Sequence, residues 1–232
     1  MTPMTAEGRF IESFALGQWQ ANCYLLGDRS RGTAVVVDPG EGGVEPITER
    51  LDANGVTCEA VLCTHGHLDH LWTAPDLAAA YGVPVLLHAD DTWLYENPAA
   101  AFGDLPVSVL EQQFGLRWAP DADALSTFTD GAVFSFGGFQ LTAHHTPGHT
   151  PGNSVFLIDD TPSGTPLLLS GDLLFAGSVG RTDLAGGDWD TQETSLRRVI
   201  LPLDDATVVA PGHGPQSTIG AERRTNPHLP KP

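Results

Sequence analysis

Four side chains able to bind a metal fall within the six residues His65-Gly66-His67-Leu68-Asp69-His70, directly after the apolar run Ala60-Val61-Leu62-Cys63. Side chains of an extended segment repeat every two residues, so His65 and His67 share one side. Asp69 and His70 are out of that phase. They turn toward the same point only if the chain bends there, as at the start of a helix. Three imidazoles and a carboxylate form a nitrogen/oxygen donor set, which suits zinc and also iron or manganese.

Three later stretches repeat the pattern of an apolar strand, then small or stiff residues, then a candidate ligand. Phe139 to Ala143 runs into His144-His145-Thr146-Pro147-Gly148-His149, Leu167 to Leu169 into Ser170-Gly171-Asp172, and Thr207 to Ala210 into Pro211-Gly212-His213-Gly214. Small residues let backbone approach an ion, and ligands at strand ends share one rim of a sheet. The set His65, His67, Asp69, His70, His149, Asp172 and His213 exceeds what one four-coordinate ion needs and suits two. One ion takes His65, His67 and His149, the other Asp69, His70 and His213, and the Asp172 carboxylate can bridge them. Ions in such two-metal hydrolytic sites stand roughly 3.5–4 Å apart. His145, beside the Thr-Pro-Gly-His turn, is a candidate for orienting a ligand from behind. His144, His88 and His228 are left outside the site.

The remaining pattern predicts alternating strands and helices. Asn22 to Leu26 and Thr33 to Val37 read as strands, the second ending at Asp38-Pro39-Gly40. Helices are expected over Val44 to Leu51, with Gly55 as the stop, over Leu71 to Tyr81 before Gly82, and over Trp189 to Ile200 with Asp188 as N-cap. Further strands are expected at Pro84 to Leu87, at the hairpin Ala132–Phe136/Phe139–Ala143, and at Asn153 to Ile158. Residues 96 to 127 are broken by Asn97-Pro98, Gly103 and Leu105-Pro106, with one short helix expected at Val107 to Phe114; an irregular insertion of this length often serves as a lid or binding loop.

With 11 basic against 29 acidic residues the net charge is −18, which argues against nucleic acid or anionic membrane as a partner. A small anionic substrate stays possible, because bound cations and a few arginines can reverse the local field. Met1 to Phe14 shows no secretory signal, and no apolar run approaches the ~20 residues of a membrane span, so a cytoplasmic protein is expected. Cys23, Cys58 and Cys63 lack disulfide or zinc spacing and read as small buried hydrophobes. No composition break divides the chain, so residues 1–232 are expected to form one domain, as a monomer or small homo-oligomer.

The motifs His65-x-His67-x-Asp69-His70, Thr146-Pro147-Gly148-His149, Gly171-Asp172 and Pro211-Gly212-His213-Gly214 resemble, in order, those of the metallo-β-lactamase superfamily over about residues 20 to 215. The resemblance implies an α/β fold, an αβ/βα four-layer sandwich of two mixed sheets flanked by helices, with two divalent metals, zinc above all, at one edge. It also implies that Asp38, in Asp-Pro-Gly, supports a ligand. Gly171-Asp172-Leu173-Leu174-Phe175, Gly180-Arg181-Thr182-Asp183-Leu184 and the tail Gly220 to Pro227 are similar to the glyoxalase II-related, hydroxyacylglutathione hydrolase-like proteins of the short bacterial type. Full-length glyoxalase II carries a C-terminal helical domain that helps hold glutathione; only 19 residues follow His213 here, so that domain is expected to be missing.

The activity implied is hydrolysis of a small-molecule thioester, such as S-D-lactoylglutathione, with Asp69 binding its ion and orienting water activated between the two metals. A thiol of pKa about 8.5 leaves readily as thiolate, so no strong general acid is needed. Arg181, Arg223 and Arg224 are candidates for a substrate carboxylate. Alternatives are a persulfide dioxygenase with one iron on two histidines and Asp172, a lactonase or less readily a β-lactamase, and a non-catalytic binding module.

Overall fold

Alternation along each strand sorts the apolar residues into separate layers. In the strand Thr33–Val37, Val35 and Val37 point into one cluster and Ala34 and Val36 into another, as the two-residue repeat demands. Both faces of the strand are therefore buried, which requires material on each side of the sheet. A computed structural model of the protein, describing residues 8–103, 105–115 and 117–230, shows what supplies it.

The first sheet contains β1 (Arg9–Leu16), β2 (Ala21–Asp28), β3 (Thr33–Val37), β4 (Thr57–Leu62), β5 (Val85–His88) and β6 (Leu125–Phe128), side by side in chain order. β1, β2 and β3 pair antiparallel, and β3 to β6 pair parallel. The second contains β7 (Val133–Phe136), β8 (Phe139–His145), β9 (Ser154–Ile158), β10 (Leu167–Gly171), β11 (Val208–Pro211) and β12 (Ser217–Thr218), in the order β12-β11-β10-β9-β8-β7. Only β10 and β11 pair parallel there.

The sheets face each other across Leu26, Val35, Leu62, Leu141, Phe156 and Leu169. The outer face of the first is covered by α1 (Val44–Asn54), α2 (Leu68–Leu71) and α3 (Ala74–Tyr81), through Ile47, Leu51, Leu71 and Leu77. Leu196, Val199, Ile200 and Ile219 cover the outer face of the second. Each such side chain contributes about 1.5–3 kcal/mol on burial. The result is a helix–sheet–sheet–helix sandwich, the architecture the sequence motifs imply.

Several boundaries differ from expectation for local reasons. The predicted helix Leu71 to Tyr81 is two helices, interrupted at Trp72-Thr73, with Pro75 in the first turn of the second. The helix over Trp189 to Ile200 is regular only in α6 (Trp189–Ser195, after α4 Thr92–Glu96 and α5 Val107–Phe114); Leu196–Ile200 forms a π-turn, and the Asp188 side chain accepts the Thr191 N–H at 2.8 Å as N-cap. Strands β1 and β6, the helix α4 and the helix α7 (Ile219–Thr225) were not anticipated. β1 carries the polar residues Arg9, Glu12 and Ser13 of an edge strand, which weakens its alternation. The insertion contains α5 over the expected residues, flanked by 3₁₀ turns at Pro98–Phe102 and Ala122–Ala124. Among the described residues no helix is long and apolar enough to cross a membrane. The amino-terminal stretch read for a secretory signal lies partly outside them, since residues 1–7 are not described.

Candidate metal centre

The seven candidate ligands meet at one edge of the sandwich, drawn from both sheets. The turn after β4 carries His65, and His67 occupies the N-cap of α2, so Asp69 and His70 come round on its first turn. This is the bend their spacing required. His149 follows β8, Asp172 follows β10 and His213 follows β11.

The ring nitrogens converge to hydrogen-bonding distance of one another. His67 Nδ1 lies 2.8 Å from His149 Nε2, which lies 3.2 Å from His65 Nε2; His70 Nε2 lies 3.2 Å from His213 Nε2. Ligand atoms of His65, His67 and His149 lie within 4.8 Å of one another, as do those of Asp69, His70 and His213. Asp172 stands between the trios: Oδ2 is 3.5 Å from His149 Nε2 and 3.6 Å from His213 Nε2. Its Oδ1 is buried without a hydrogen-bond partner, 3.4 Å from His70 Nε2. Converging nitrogens and an orphaned carboxylate oxygen fit divalent cations of the zinc, iron or manganese type.

Each imidazole but one is fixed from behind. His65 Nδ1 meets Thr64 Oγ1 at 3.0 Å, His70 Nδ1 meets Asp38 Oδ2 at 3.1 Å, His149 Nδ1 meets the Arg181 carbonyl at 2.7 Å and His213 Nδ1 meets the Trp19 carbonyl at 3.2 Å. Such bonds fix the ring and its tautomer, leaving Nε2 free as the ligand atom. Asp38 therefore stands behind His70. It does so from a left-handed backbone conformation (φ 53°), uncommon outside glycine and best tolerated by Asp and Asn, and also receives the Thr64 N–H and hydroxyl.

Charge follows the same division. Burial, reinforced by neighbouring imidazoles, holds His65 and His67 well below the ordinary histidine pKa, in the neutral form a metal requires. Burial also opposes charge on His70, but the carboxylates of Asp172, Asp69 and Asp38 outweigh it and push that group up to about 10. Burial would raise the Asp69 carboxyl, yet His70 and the hydrogen bond with His213 hold it well below the usual range. The carboxylates thus make this half of the site favour positive charge.

One further residue ties the cluster together and carried no sequence signal. Asp91, fully buried before α4, accepts the Gly66 N–H at 2.9 Å and the Thr150 hydroxyl at 2.6 Å on one oxygen, and the Gly152 N–H at 2.6 Å on the other. It joins the His65–His67 loop to the turn holding His149. Burial raises its pKa, offset in part by these bonds. Nothing in the spacing of Ala89-Asp90-Asp91 distinguishes it from an exposed turn.

Other candidates lie elsewhere. His145 does not stand behind a ligand: its ring stacks on His88 at 3.9 Å and its Nε2 meets the Pro151 carbonyl at 2.7 Å. Arg181 lines the cavity in front of the cluster, with its guanidinium on Asp183 at 2.6 and 2.7 Å. Arg223 and Arg224 line a separate cavity with Leu201 and Leu229, where Arg223 pairs with Asp205 and binds the carbonyls of Leu201 and Leu203. Helix α7 carries both away from the metal edge.

Residues 16–213 match the model of the metallo-beta-lactamase superfamily. The chain is 35% identical to hydroxyacylglutathione hydrolase GloC of Haemophilus influenzae, over 94% of this chain and 97% of that one. Its structure is similar to that of the BLEG-1 B3 metallo-beta-lactamase (TM-score 0.79, 34% identity, 94% and 99% of the two chains). It is also similar to TTHA1623 in a di-iron-bound form (TM-score 0.75, 35% identity, 94% and 100%). The ligand order, the four-layer fold and these matches agree, and the chain belongs to the metallo-beta-lactamase superfamily, as a metal-dependent hydrolase.

Proposed function

We propose that the protein hydrolyses a 2-hydroxyacyl thioester to the hydroxy acid and the free thiol, a glyoxalase II-type reaction with two divalent ions. His65, His67 and His149 would hold one ion, Asp69, His70 and His213 the other, and Asp172 both. When bound, such ions lower the pKa of water and polarise a carbonyl oxygen.

The observation that carries the choice of leaving group is the cavity wall. Among the described residues, the titratable side chains lining it are the metal-ligand candidates His67, Asp69, His149, Asp172 and His213, together with Arg181. None is free to protonate a departing amine. A thiolate needs no such help, because its conjugate acid has a pKa near 8.5. Asp69, kept ionised by His70 and His213, can accept a hydrogen bond from the attacking water and orient it toward the carbonyl carbon. The water oxygen becomes the second carboxylate oxygen, its two protons pass to solvent, the C–S bond breaks, and sulfur leaves as thiolate with the electron pair. The identity to hydroxyacylglutathione hydrolase GloC supports the same reading.

The test is a substrate panel on the zinc- and iron-loaded protein: S-D-lactoyl thioesters, a lactone and a β-lactam. Thioester turnover well above the other two is expected. Turnover of the β-lactam or lactone alone overturns the proposal.

A further inference from the structure

The cavity in front of the metal edge has a volume of about 350 Å³. Its walls are mainly apolar, formed by Trp19, Leu68, Phe102, Phe175 and Leu184. Phe102 is 46% exposed at the rim, and Leu105 and Val109, each 40% exposed, follow it on the insertion. Aromatic surface left open beside a site gains by being covered, and a bound apolar group would cover it.

The charge on this wall is as informative as its apolarity. Among the described residues Arg181 is the cation lining the cavity, and Asp183 pairs with the Nε–Nη2 edge of its guanidinium. The paired carboxylate offsets part of the field that Arg181 offers a third group. Arg223 and Arg224, the other arginines considered for a carboxylate, open on a different cavity. A glutathione carrier brings two carboxylates and one ammonium, and its carboxylates find no unpaired cation on the described wall.

We propose that the thioester this cavity accepts has an uncharged carrier arm, whose apolar part lies against Trp19, Phe102 and Leu184. The inference rests on the thioesterase reading and specifies its substrate class. The hydroxyacyl end faces Asp69 and the ligand cluster, and the carrier runs outward along the Phe102 rim. Asp183 acts as a specificity residue by occupying Arg181.

The experiment compares S-D-lactoylglutathione, S-D-lactoyl-N-acetylcysteamine and an N-phenylacetyl analogue of the latter on the metal-loaded full chain. Calorimetric binding of the matching non-hydrolysable thioethers provides a readout apart from turnover. The expected result is a kcat/KM at least tenfold higher for the phenylacetyl ester than for the glutathione ester, with the same order in thioether binding. Phe102→Ala should shrink that preference through KM, with kcat little changed. Asp183→Asn, which removes the charge paired with Arg181, should improve the glutathione ester severalfold relative to the uncharged esters. Equal or better use of the glutathione ester by the unmodified protein overturns the inference while leaving the thioesterase reading intact. Hydrolysis of none of the three overturns both.

Discussion

Asp38 Oδ2 lies 3.1 Å from His70 Nδ1, and the carboxylate reaches it from a backbone turned into the left-handed region. The same carboxylate receives the Thr64 N–H at 2.7 Å and the Thr64 hydroxyl at 2.8 Å, and that hydroxyl touches His65 Nδ1. Asp38→Asn would present an amide donor where His70 needs an acceptor, favouring the wrong tautomer. Metal affinity should fall about 10–100-fold. Chelator competition on the purified variant measures it, and an unchanged affinity would show that Asp38 does not govern His70.

Asp91 predicts a stability effect together with a functional one. Asp91→Ala strands the Gly66 and Gly152 N–H groups and the Thr150 hydroxyl in a buried site, at about 1–3 kcal/mol for each donor that finds no water. The urea midpoint should drop accordingly, and turnover should fall further than stability alone explains, because His67 and His149 lose their common anchor. A midpoint unchanged within error refutes this account.

On the two-ion reading proposed above, replacing Asp172 should affect both ions at once. Its oxygens approach His70, His149 and His213 at 3.4, 3.5 and 3.6 Å. Asp172→Ala should bind fewer than half the equivalents of zinc held by the unmodified protein and lose turnover with them. Elemental analysis decides, and full metal content with full activity would rule out a shared carboxylate.

The cysteines provide a chemical probe of the core. Burial pushes the Cys58 thiol up to about 12 and holds Cys23 and Cys63 well above the ordinary value. Since the thiolate is the reactive form, iodoacetamide at pH 8 should label none of the three in the folded protein and all three after denaturation. Mass spectrometry counts the adducts; rapid native labelling at any of them contradicts the buried assignment.

The ligands were legible because each follows an apolar strand and small residues, a local signature that survives without knowledge of the fold. His65 and His67 could be placed by strand phase, and Asp69 and His70 by the bend they needed. Asp91 could not be found this way. Its partners lie in two loops far from it in sequence, and only tertiary packing brings them to one carboxylate. His145 misled for the converse reason: it is four residues from His149, yet its ring stacks on His88 from another strand. The apolar pattern over Leu71 to Tyr81 runs across Trp72 and hides the break, while Pro75 marks a new first turn. Arg223 and Arg224 showed how little a charged tail reveals of its direction until α7 is placed.

Each trio of ligands takes members from both sheets: His65 and His67 with His149, and Asp69 and His70 with His213. Neither half of the chain holds a complete set, so the ions would act as staples across the sandwich. Metal capture then reports that the two halves have docked, and a protein stripped by a chelator should open first along this seam, leaving each half's own hydrogen-bonded strands intact. A misassembled chain would declare itself by being unable to keep its metal.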